Sequence, residues 1–371
     1  MLHIAFAGGG TGGHIYPGLA VAASLQKIMP CRVFWIGSGA MDRAIVERAG
    51  LEFFAIPAGK LRRYFSVRNF FDMFKVAAGF AAARRLLKRE KPALLFSKGG
   101  FVSVPPCAAA ASLRIPVFTH ESDYSPGLAT RINARFAARI FTAFEEAAAF
   151  LPPAVRPKVQ TVGNPIRPEF RAADAAKGRA FLGLGPEAPL LLVLGGSLGA
   201  RQINGLVAAS LEELTRRCTV VHQTGAGAEG IPPAGERYRP FGFIQDELPH
   251  LLAAADLVFC RSGAGTIWEC ASLGKPMILL PLSGSGTRGD QVENARFLEK
   301  AGAAVTLGGD VQPGGLASAV QALLDDAARR RSLGEAAARF AARDGAALIA
   351  GAIKARLDGE AAEERRAWNL R

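Results

Sequence analysis

Short apolar runs alternate with longer segments of helical periodicity along almost the whole chain. Eight of these runs predict buried parallel strands, because they combine branched and aromatic residues without alternating polar positions. The predicted strands are Ile4–Ala7, Val33–Ile36, Leu94–Phe96 and Val117–Thr119 in the first half, and Leu190–Leu194, Cys218–His222, Leu257–Cys260 and Met277–Leu280 in the second. Helix-length segments such as Gly18–Ile28 and Asn69–Lys88 lie between them. This alternation is typical of doubly wound α/β domains.

A proline-rich stretch interrupts the rhythm near the middle of the chain. Pro152-Pro153 and Gly163-Asn164-Pro165 both fall there, so we predict one α/β domain over residues 1–162 and a second over 163–371. Two such halves predict a cleft between them, lined by the carboxyl ends of the strands, where ligands bind in these folds. The Ala/Arg-rich tail after Asp325 is predicted to be helical and solvated, and we leave open that the terminal helix packs back on the first domain.

Composition narrows the class of protein. A length of 371 residues suggests about two domains. The 50% hydrophobic and 21% charged residues argue against a long disordered protein. Five scattered cysteines without a CxxC pair argue for a reducing compartment and against disulfides or structural zinc. The N-terminus is predicted to be a first strand, not a signal peptide, and the chain contains no apolar run of about 18 residues that would span a bilayer.

The net charge of +13 is concentrated in one segment. Residues 60–91 carry ten basic residues against two acidic ones, together with several aromatic residues. This combination favours a helix lying on anionic lipid. An ordinary surface helix that packs its aromatic face on the sheet stays open, and nucleic acid is disfavoured because no reader motif accompanies the charge. The predicted membrane-facing residues are Phe70, Phe71, Phe74, Arg84, Arg85, Lys88 and Arg89.

A glycine-rich loop, Gly8–His14, follows the first predicted strand and opens a helix. Glycine allows the backbone to approach a phosphate or sugar closely, and the start of a helix favours an anion. The loop matches a dinucleotide fingerprint, but that interpretation needs an acidic residue at the end of the second strand. Ile36-Gly37-Ser38-Gly39 supplies none. We therefore favour a ligand-contacting loop over a nicotinamide site or a purely structural turn.

The second half repeats this geometry at Gly195–Ala200, after the strand Leu190–Leu194. Together with the first loop, this turn indicates a diphosphate site. It is not a Walker A loop, because no Gly-Lys-Ser/Thr follows.

A third turn, Cys260–Glu269, lies where a predicted strand passes into a helix. Glu269 falls one turn into that helix, where its carboxylate can accept both hydroxyls of a ribose; an ordinary capping glutamate is the alternative. Asp290-Gln291, before a helix predicted over Asn294–Lys300, offers polar side chains to a sugar or simply caps that helix.

His120-Glu121-Ser122-Asp123 follows the predicted strand Val117–Thr119 at its carboxyl end. His14 and His120 make a metal site conceivable, but no HExxH or close ligand triplet accompanies them. A nucleophilic serine is not supported either, because no GxSxG elbow is present. We expect neither a metal nor a cofactor.

An ordered set of motifs resembles glycosyltransferase family 28, the GT-B enzymes that make lipid II in bacterial cell-wall synthesis. In chain order they are Gly9–His14, His120-Glu121, Gly163–Arg167, Gly195–Ala200, Arg261–Ala264, Glu269 and Gln291. The similarity covers essentially the whole chain. It implies the α/β GT-B fold, with two doubly wound Rossmann-like domains facing each other across a cleft.

The resemblance also implies an activity and a location. The reaction is an inverting transfer of N-acetylglucosamine from UDP-N-acetylglucosamine to the C4 hydroxyl of lipid I, undecaprenyl-pyrophosphoryl-N-acetylmuramyl-pentapeptide. It takes place at the cytoplasmic face of the bacterial inner membrane, where the protein is peripheral. Implied partners are the two substrates, an anionic membrane surface and other cell-wall synthesis enzymes, and implied roles extend to cell shape and division.

The donor-binding residues follow by similarity, with Ser197 at the diphosphate, Ile244 beside the uracil and Gln291 at the sugar. The full implied set is Thr11, Gly12, Gly13, Asp123, Arg167, Ser197, Ile244, Arg261, Ala264, Gly265, Thr266, Glu269 and Gln291. Three positions depart from the family pattern: Asp123 replaces a frequent Asn, Phe101 a Tyr and Leu198 a Gln. The change at Phe101 removes a hydroxyl, and an ionised Asp123 accepts hydrogen bonds but cannot donate them.

Inversion requires a base that takes the acceptor proton while the leaving UDP is stabilised. His14 has the pKa range for this role and is our candidate base; an orienting role is the alternative. Helix N-termini beside Ser197 and Gly263 would stabilise the diphosphate without a metal. The rival interpretations are another GT-B enzyme, such as a lipid glycosyltransferase or UDP-sugar 2-epimerase, and a non-catalytic membrane adaptor.

Overall fold

A computed structural model describes residues 1–59, 67–196, 199–284 and 287–369, with the backbone alone for 67–71 and 360–369. The chain forms two compact units. Unit 1 contains Met1–Ile166 together with Asp344–Arg371, and unit 2 contains Arg167–Arg343. The change of unit at Ile166–Arg167 falls within the Gly163–Arg167 motif.

Unit 1 is built on a seven-stranded parallel sheet of order β3-β2-β1-β4-β5-β6-β7. Its strands are β1 Leu2–Ala7, β2 Cys31–Gly37, β3 Glu52–Ala55, β4 Leu94–Ser97, β5 Val117–Glu121, β6 Arg139–Thr142 and β7 Val159–Thr161. Its helices are α1 Tyr16–Ile28, α2 Ala40–Arg48, α3 Val67–Glu90, α4 Val104–Ser112, α5 Leu128–Phe136 and the C-terminal α15 Gly345–Asn369. The strand order reverses between β1 and β4, so loops after these strands diverge there and leave room for a ligand.

Unit 2 is built on a six-stranded parallel sheet of order β10-β9-β8-β11-β12-β13. Its strands are β8 Leu190–Leu194, β9 Thr219–Gln223, β10 Tyr238–Phe241, β11 Leu257–Cys260, β12 Met277–Leu279 and β13 Ala304–Thr306. Its helices are α6 Pro168–Arg171, α7 Ala175–Leu182, α8 Arg201–Ala209, α9 Leu211–Arg217, α10 Leu248–Ala254, α11 Ala264–Ser272, α12 Asp290–Lys300, α13 Pro313–Asp325 and α14 Ala327–Phe340. The switch in strand order lies between β8 and β11.

The predicted strands are all present, because a strand covered on both faces by helices needs apolar residues at every position. β8, with the sequence LLLVL, is buried along its whole length. Two predicted residues lie outside the strands, since Cys218 precedes β9 and Leu280 follows β12, and the strands β1, β2, β4, β5 and β9 extend beyond their predicted ends. Five further strands, β3, β6, β7, β10 and β13, were not predicted.

The prediction of a solvated C-terminal tail is wrong. The helix α15 packs against α1, and its residues Ile349, Ala350 and Ile353 are fully buried in the core of unit 1. The Asp344 carboxylate accepts the backbone N–H of Ala347 and so caps this helix at its start.

The helix α3 carries much of the basic segment and packs against α4. Its inner face includes Ala83, Leu86 and Leu87, which are buried. Met73 and Phe74 are 58% and 61% exposed. Residues 60–66 of the basic segment lie outside the described residues. Among those described, no helix is both long and apolar enough to cross a membrane.

Candidate active site

The first glycine loop of unit 1 is held by a carboxylate from α2. Both oxygens of Asp42 lie 3.1 Å from the backbone nitrogen of Gly10, and one accepts the N–H of Ser38 at 3.2 Å. Burial raises the pKa of Asp42, and the two N–H donors oppose that shift. A side chain at Gly9 would collide with this carboxylate, because a Cβ there would lie 2.1 Å from its Oδ2. Asp42 was not predicted from the sequence, although it shapes the loop from the next helix.

His14 lies against a second glycine pair. A Cβ at Gly100 would lie 3.0 Å from His14 Cδ2, and one at Gly99 would lie 3.9 Å from Nδ1. Both glycines, at φ 86° and 77°, adopt the left-handed conformation that favours glycine. The Phe101 ring lies against Gly10, where a Cβ would be 2.8 Å from Cε1. The loop after β4 therefore packs on the first glycine loop and holds the half-buried His14 ring at the carboxyl edge of the sheet.

A buried polar chain connects the ends of β4 and β5 to the segment that leaves unit 1. Lys98 Nζ donates to Ser122 Oγ at 2.6 Å, and Ser122 Oγ donates to Asn164 Oδ1 at 2.6 Å. His120 Nε2 donates to the Gly163 carbonyl at 3.0 Å. Burial lowers the pKa of Lys98 to about 8, against the raising effect of nearby carboxylates. Burial, and then the charge of Lys98, lowers the pKa of His120 well below its usual range, so this ring is neutral.

Glu121 holds the turn that contains Asp123. Its carboxylate accepts the backbone N–H groups of Ser122 at 2.9 Å, Asp123 at 3.0 Å and Gly127 at 3.0 Å, and the Thr130 hydroxyl at 2.6 Å. A carboxylate with this many donors is fixed in place. Glu121 therefore orders the backbone on which Asp123 stands.

The glycine turn of unit 2 is described at its two ends. Ser197 and Leu198 lie outside the described residues, so the diphosphate contact predicted for Ser197 stays a prediction. The Gly199 N–H donates to the Gly196 carbonyl at 3.1 Å and closes the turn. A Cβ at Gly199 would lie 2.2 Å from the Thr224 carbonyl, and its φ is 73°. Glycine is thus required where this turn packs on the segment after β9.

Ile244, predicted to lie beside the uracil, is buried, and its backbone N–H donates to Gln223 Oε1 at 3.0 Å. Gln223 Nε2 in turn donates to the carbonyl of Gly196 at 3.1 Å. Two regions predicted to bind opposite ends of UDP therefore share one side chain. Gln223 was not predicted from the sequence, because a single amide at the end of a strand forms no recognisable pattern.

Arg167 and Glu269, both implied donor contacts, form an ion pair within unit 2. Arg167 Nε and Nη2 both lie 2.9 Å from Glu269 Oε1, and the guanidinium lies over the Phe170 ring at 4.5 Å. Burial raises the pKa of Glu269, while Arg167 opposes that shift. The arginine thus fixes the carboxylate that we predicted for the ribose.

The helix α11 begins at Ala264, so Ala264, Gly265 and Thr266 form its first turn. The first N–H groups of a helix have no partner within it, and together with the helix dipole they favour an anion. The nucleotide contact implied for these three residues stays a prediction.

Arg261 is engaged within unit 2. Its Nη1 donates to Gln202 Oε1 and to the Leu280 carbonyl, each at 3.0 Å, and burial lowers its pKa. It therefore braces the turn before α11.

Gln291 lies in the first turn of α12, which begins at Asp290 and not at the predicted Asn294. Its Oε1 accepts the N–H of Leu282 at 2.9 Å, and Ser262 Oγ donates to its carbonyl at 2.7 Å. These bonds tie the start of α12 to the turn before α11.

Solved structures resemble this fold over nearly its full length. The crystal structure of Acinetobacter baumannii MurG covers 95% of this chain and 99% of its own, with a TM-score of 0.71 and 24% identity. A putative UDP-N-acetylglucosamine 2-epimerase from Listeria monocytogenes covers 96% and 97%, with a TM-score of 0.70 and 14% identity. Two parallel α/β units in succession, with these neighbours, place the protein in the GT-B fold class.

Sequence comparison identifies the family within this class. The N-terminal domain model of glycosyltransferase family 28 matches residues 4–142, and its C-terminal domain model matches residues 190–349. The chain belongs to glycosyltransferase family 28. The resemblance drawn from the ordered motifs is confirmed.

Curated relatives carry one name. A Treponema denticola protein is 52% identical over 332 residues, which cover 84% of this chain and 85% of its own. A Shouchella clausii protein is 44% identical over 304 residues, which cover 81% and 85%. Both are named UDP-N-acetylglucosamine–N-acetylmuramyl-(pentapeptide) pyrophosphoryl-undecaprenol N-acetylglucosamine transferase.

Proposed function

We propose that the chain transfers N-acetylglucosamine from UDP-N-acetylglucosamine to the C4 hydroxyl of lipid I, with inversion, and so forms lipid II for peptidoglycan synthesis. The observation that carries this proposal is the 52% identity, over 84% of the chain, to a relative named for that transfer. Roles in cell shape and cell division follow from the product, since growth and septation of a walled cell both consume it.

The donor half of the proposal is supported by the geometry of unit 2. The first turn of α11 presents N–H groups to an anion, Glu269 is held by Arg167, and Ile244 is fixed by its backbone bond. A nucleoside diphosphate needs these three features, namely an anion site, a ribose acceptor and an apolar surface for the base. The sugar contact of Gln291 and the phosphate contact of Ser197 belong to the same proposal.

The catalytic half rests on unit 1. His14 ends the short helix Gly12–His14, which Thr11 precedes at the carboxyl edge of the sheet. We assign Thr11, Gly12 and Gly13 as contacts of the donor. We assign His14 as the base that takes the proton of the acceptor hydroxyl as that oxygen attacks the anomeric carbon and UDP leaves.

This role makes a kinetic prediction for His14→Ala. Turnover is expected to fall by at least about 100-fold, the usual contribution of a general base, while UDP affinity stays close to that of the wild type. Steady-state kinetics and calorimetry with UDP measure the two quantities. An equal loss in turnover and UDP affinity would show that His14 binds the donor instead.

A peripheral location on the cytoplasmic face of the inner membrane is part of the proposal, because lipid I keeps its polyprenyl tail in the bilayer. The exposed Met73, Phe74, Arg85 and Lys88 of α3 offer apolar and basic groups to anionic lipid.

Two of the predicted basic contacts have partners within the protein. Arg84 Nε donates to Ser112 Oγ at 3.3 Å, and Arg89 Nε donates to Glu90 at 2.7 Å. We therefore assign the main electrostatic part of membrane binding to Arg85 and Lys88. The side chains of Phe70 and Phe71 lie outside the described residues, and their insertion stays a prediction.

The deciding experiment is incubation of the purified protein with UDP-N-acetylglucosamine and a lipid I analogue. Formation of the disaccharide product with release of UDP is the expected result. A free epimer of the donor sugar would instead identify a 2-epimerase, and lipid binding without turnover of either kind would identify a membrane adaptor.

A further inference from the structure

Gln223 stands at the end of β9, between two segments that the proposed function assigns to opposite ends of UDP. One is the glycine turn after β8, proposed for the diphosphate, and the other contains Ile244, proposed for the uracil. Gln223 is buried, with 4% of the residue exposed. It reaches both segments with one amide group, as donor to the Gly196 carbonyl and acceptor from the Ile244 N–H.

The partners determine the orientation of this amide. The Gly196 carbonyl can only accept and the Ile244 N–H can only donate, so a reversed amide would place oxygen against oxygen and N–H against N–H. The Gly196 carbonyl also accepts the N–H of Gly199, which closes the turn. Gln223 therefore donates to the same carbonyl oxygen that joins the two described ends of the turn.

Few other side chains can replace Gln223 here. Glutamate in its ionised form would present an acceptor to the Gly196 carbonyl, and leucine would satisfy neither partner. Asparagine is shorter by one methylene and would not span the 3.1 Å and 3.0 Å contacts together from the same backbone position. A buried backbone group that loses its partner pays the full cost of desolvation.

We propose that Gln223 is a positioning residue of the donor site, which fixes the phosphate-binding turn and the base-binding segment at the separation that a uridine diphosphate requires. It acts through Gly196 and Ile244. This inference rests on the proposed function. It adds that the two ends of the nucleotide are recognised together, through one buried amide.

The test measures UDP binding by calorimetry with the full-length wild type, Gln223→Leu and Gln223→Glu. We expect Gln223→Leu to raise the Kd for UDP about tenfold, the usual scale for a lost pair of buried hydrogen bonds. The KM for UDP-N-acetylglucosamine should rise in parallel, with the acceptor KM unchanged.

Gln223→Glu provides a rescue that a merely structural role would not produce. A protonated carboxylic acid donates through its hydroxyl and accepts through its carbonyl, and so it reproduces the pattern of the amide. UDP affinity relative to wild type should therefore be poor at pH 8 and recover towards wild type near pH 5.5. The wild type measured at both values accounts for the ionisation of UDP itself.

Tyr238→Phe is the matched control. It removes a buried hydrogen bond of 3.0 Å between the Tyr238 hydroxyl and His222 Nδ1. His222 points to the opposite face of β9 from Gln223, because successive side chains of a strand alternate. We expect a lower melting temperature in this variant with UDP affinity within about twofold of wild type.

The outcomes separate the two proposals. If the wild type does not bind UDP, the proposed function fails and this inference fails with it. If the wild type binds UDP but Gln223→Leu binds it equally well, the inference alone is overturned. Should Gln223→Leu not fold, absence of the pH-dependent recovery in Gln223→Glu overturns it in the same way.

Discussion

Lys98 holds an ammonium group in the interior of unit 1, where only 1% of the residue is exposed. In the polar chain its ammonium donates to a neutral hydroxyl, Ser122 Oγ, and the charges of Glu121 and Asp123 offset only part of the cost of burial. This cost makes the free energy of unfolding depend on pH in a defined way.

This dependence on pH follows from the difference between the pKa of Lys98 in the folded chain and its pKa in the unfolded chain. Burial lowers the pKa of Lys98 from 10.5 to about 8. Between these values the unfolded chain still binds a proton that the folded chain has released, so the free energy of unfolding rises with pH. Below pH 8 both states are charged and the full penalty remains.

We predict that Lys98→Met removes this rise. The free energy of unfolding of wild type minus that of the variant should increase by on the order of 3 kcal/mol at most from pH 8 to pH 10.5. Urea unfolding across this range measures it. Parallel curves for the two proteins would mean that Lys98 keeps an ordinary affinity for its proton.

Glu269 carries a second prediction at this scale. Glu269 is the proposed acceptor for the ribose hydroxyls, and Arg167 holds its carboxylate in place. Glu269→Ala should therefore weaken UDP binding by about 1–3 kcal/mol, the scale of lost charged hydrogen bonds. Calorimetry with UDP measures this loss. Glu299→Ala, which removes another helix carboxylate of unit 2 that accepts a single backbone N–H, is the control. Unchanged affinity in a folded Glu269→Ala protein would remove the residue from the ribose site.

At the scale of elements, one glycine sets how closely α3 approaches the body of unit 1. A Cβ at Gly79 would lie 2.3 Å from the carbonyl oxygen of Pro57 and 3.4 Å from Pro105 Cγ in α4. The Pro57 carbonyl belongs to the backbone, so it cannot move aside as a flexible side chain can. The helix α3, which we propose to bind the membrane, therefore packs against the rest of unit 1 at a position that leaves no room for a side chain.

Gly79→Ala should accordingly destabilise the protein by about 1–3 kcal/mol, as overpacking does. Gly351→Ala in α15 is the matched change, since a Cβ there meets nothing within 4 Å. Alanine at an open helical position should instead stabilise by about 0.5–1 kcal/mol. Denaturant unfolding measures both. Equal effects of the two substitutions would contradict the close contact.

The strands that were predictable from the sequence are those that consist of a continuous run of apolar residues. β8 and β11 were located to the residue because every side chain is apolar. β7, with the three residues VQT, and β6, with RIFT, offer no such run. These strands exist because the neighbouring strand supplies hydrogen-bond partners, and this cause is not visible in their own residues.

The same distinction applies to the candidate site. The glycine turns were predictable, because glycine is favoured both where the backbone approaches a neighbouring group closely and where it adopts a left-handed conformation. Asp42 and Gln223 were not, because their partners lie 32 and 27 residues away in the chain. A single polar residue acquires its role only when the fold brings those partners to it.

At the scale of the whole molecule, the excess positive charge is proposed to hold the enzyme on anionic lipid through α3. We predict that Arg85→Glu with Lys88→Glu weakens sedimentation with anionic vesicles, by about 1 kcal/mol for each charge removed at the surface. Turnover of a short-chain soluble acceptor should be retained, because neither residue lies in the proposed site.

The control variant changes the net charge of the protein by the same amount at a different site. Arg296→Glu with Lys300→Glu places the reversal on the exposed side of α12 in unit 2, and we expect it to leave vesicle binding largely unchanged. Equal losses in the two variants would mean that the vesicles respond to net charge alone.

The return of α15 to unit 1 bears on how the protein is made. Gly345 lies against the segment that leaves unit 1, since a Cβ there would be 3.0 Å from the Gly163 carbonyl. Unit 2 is an uninterrupted insertion, and unit 1 is closed by residues that the ribosome delivers after the whole of unit 2. Until α15 emerges, α1 lacks the helix that packs on it, whose Ile349 and Ile353 belong to the same core cluster as Val21 and Leu25. The unit that is synthesised second can thus be finished first, and the nascent first unit must keep an apolar flank from aggregating until α15 has been made.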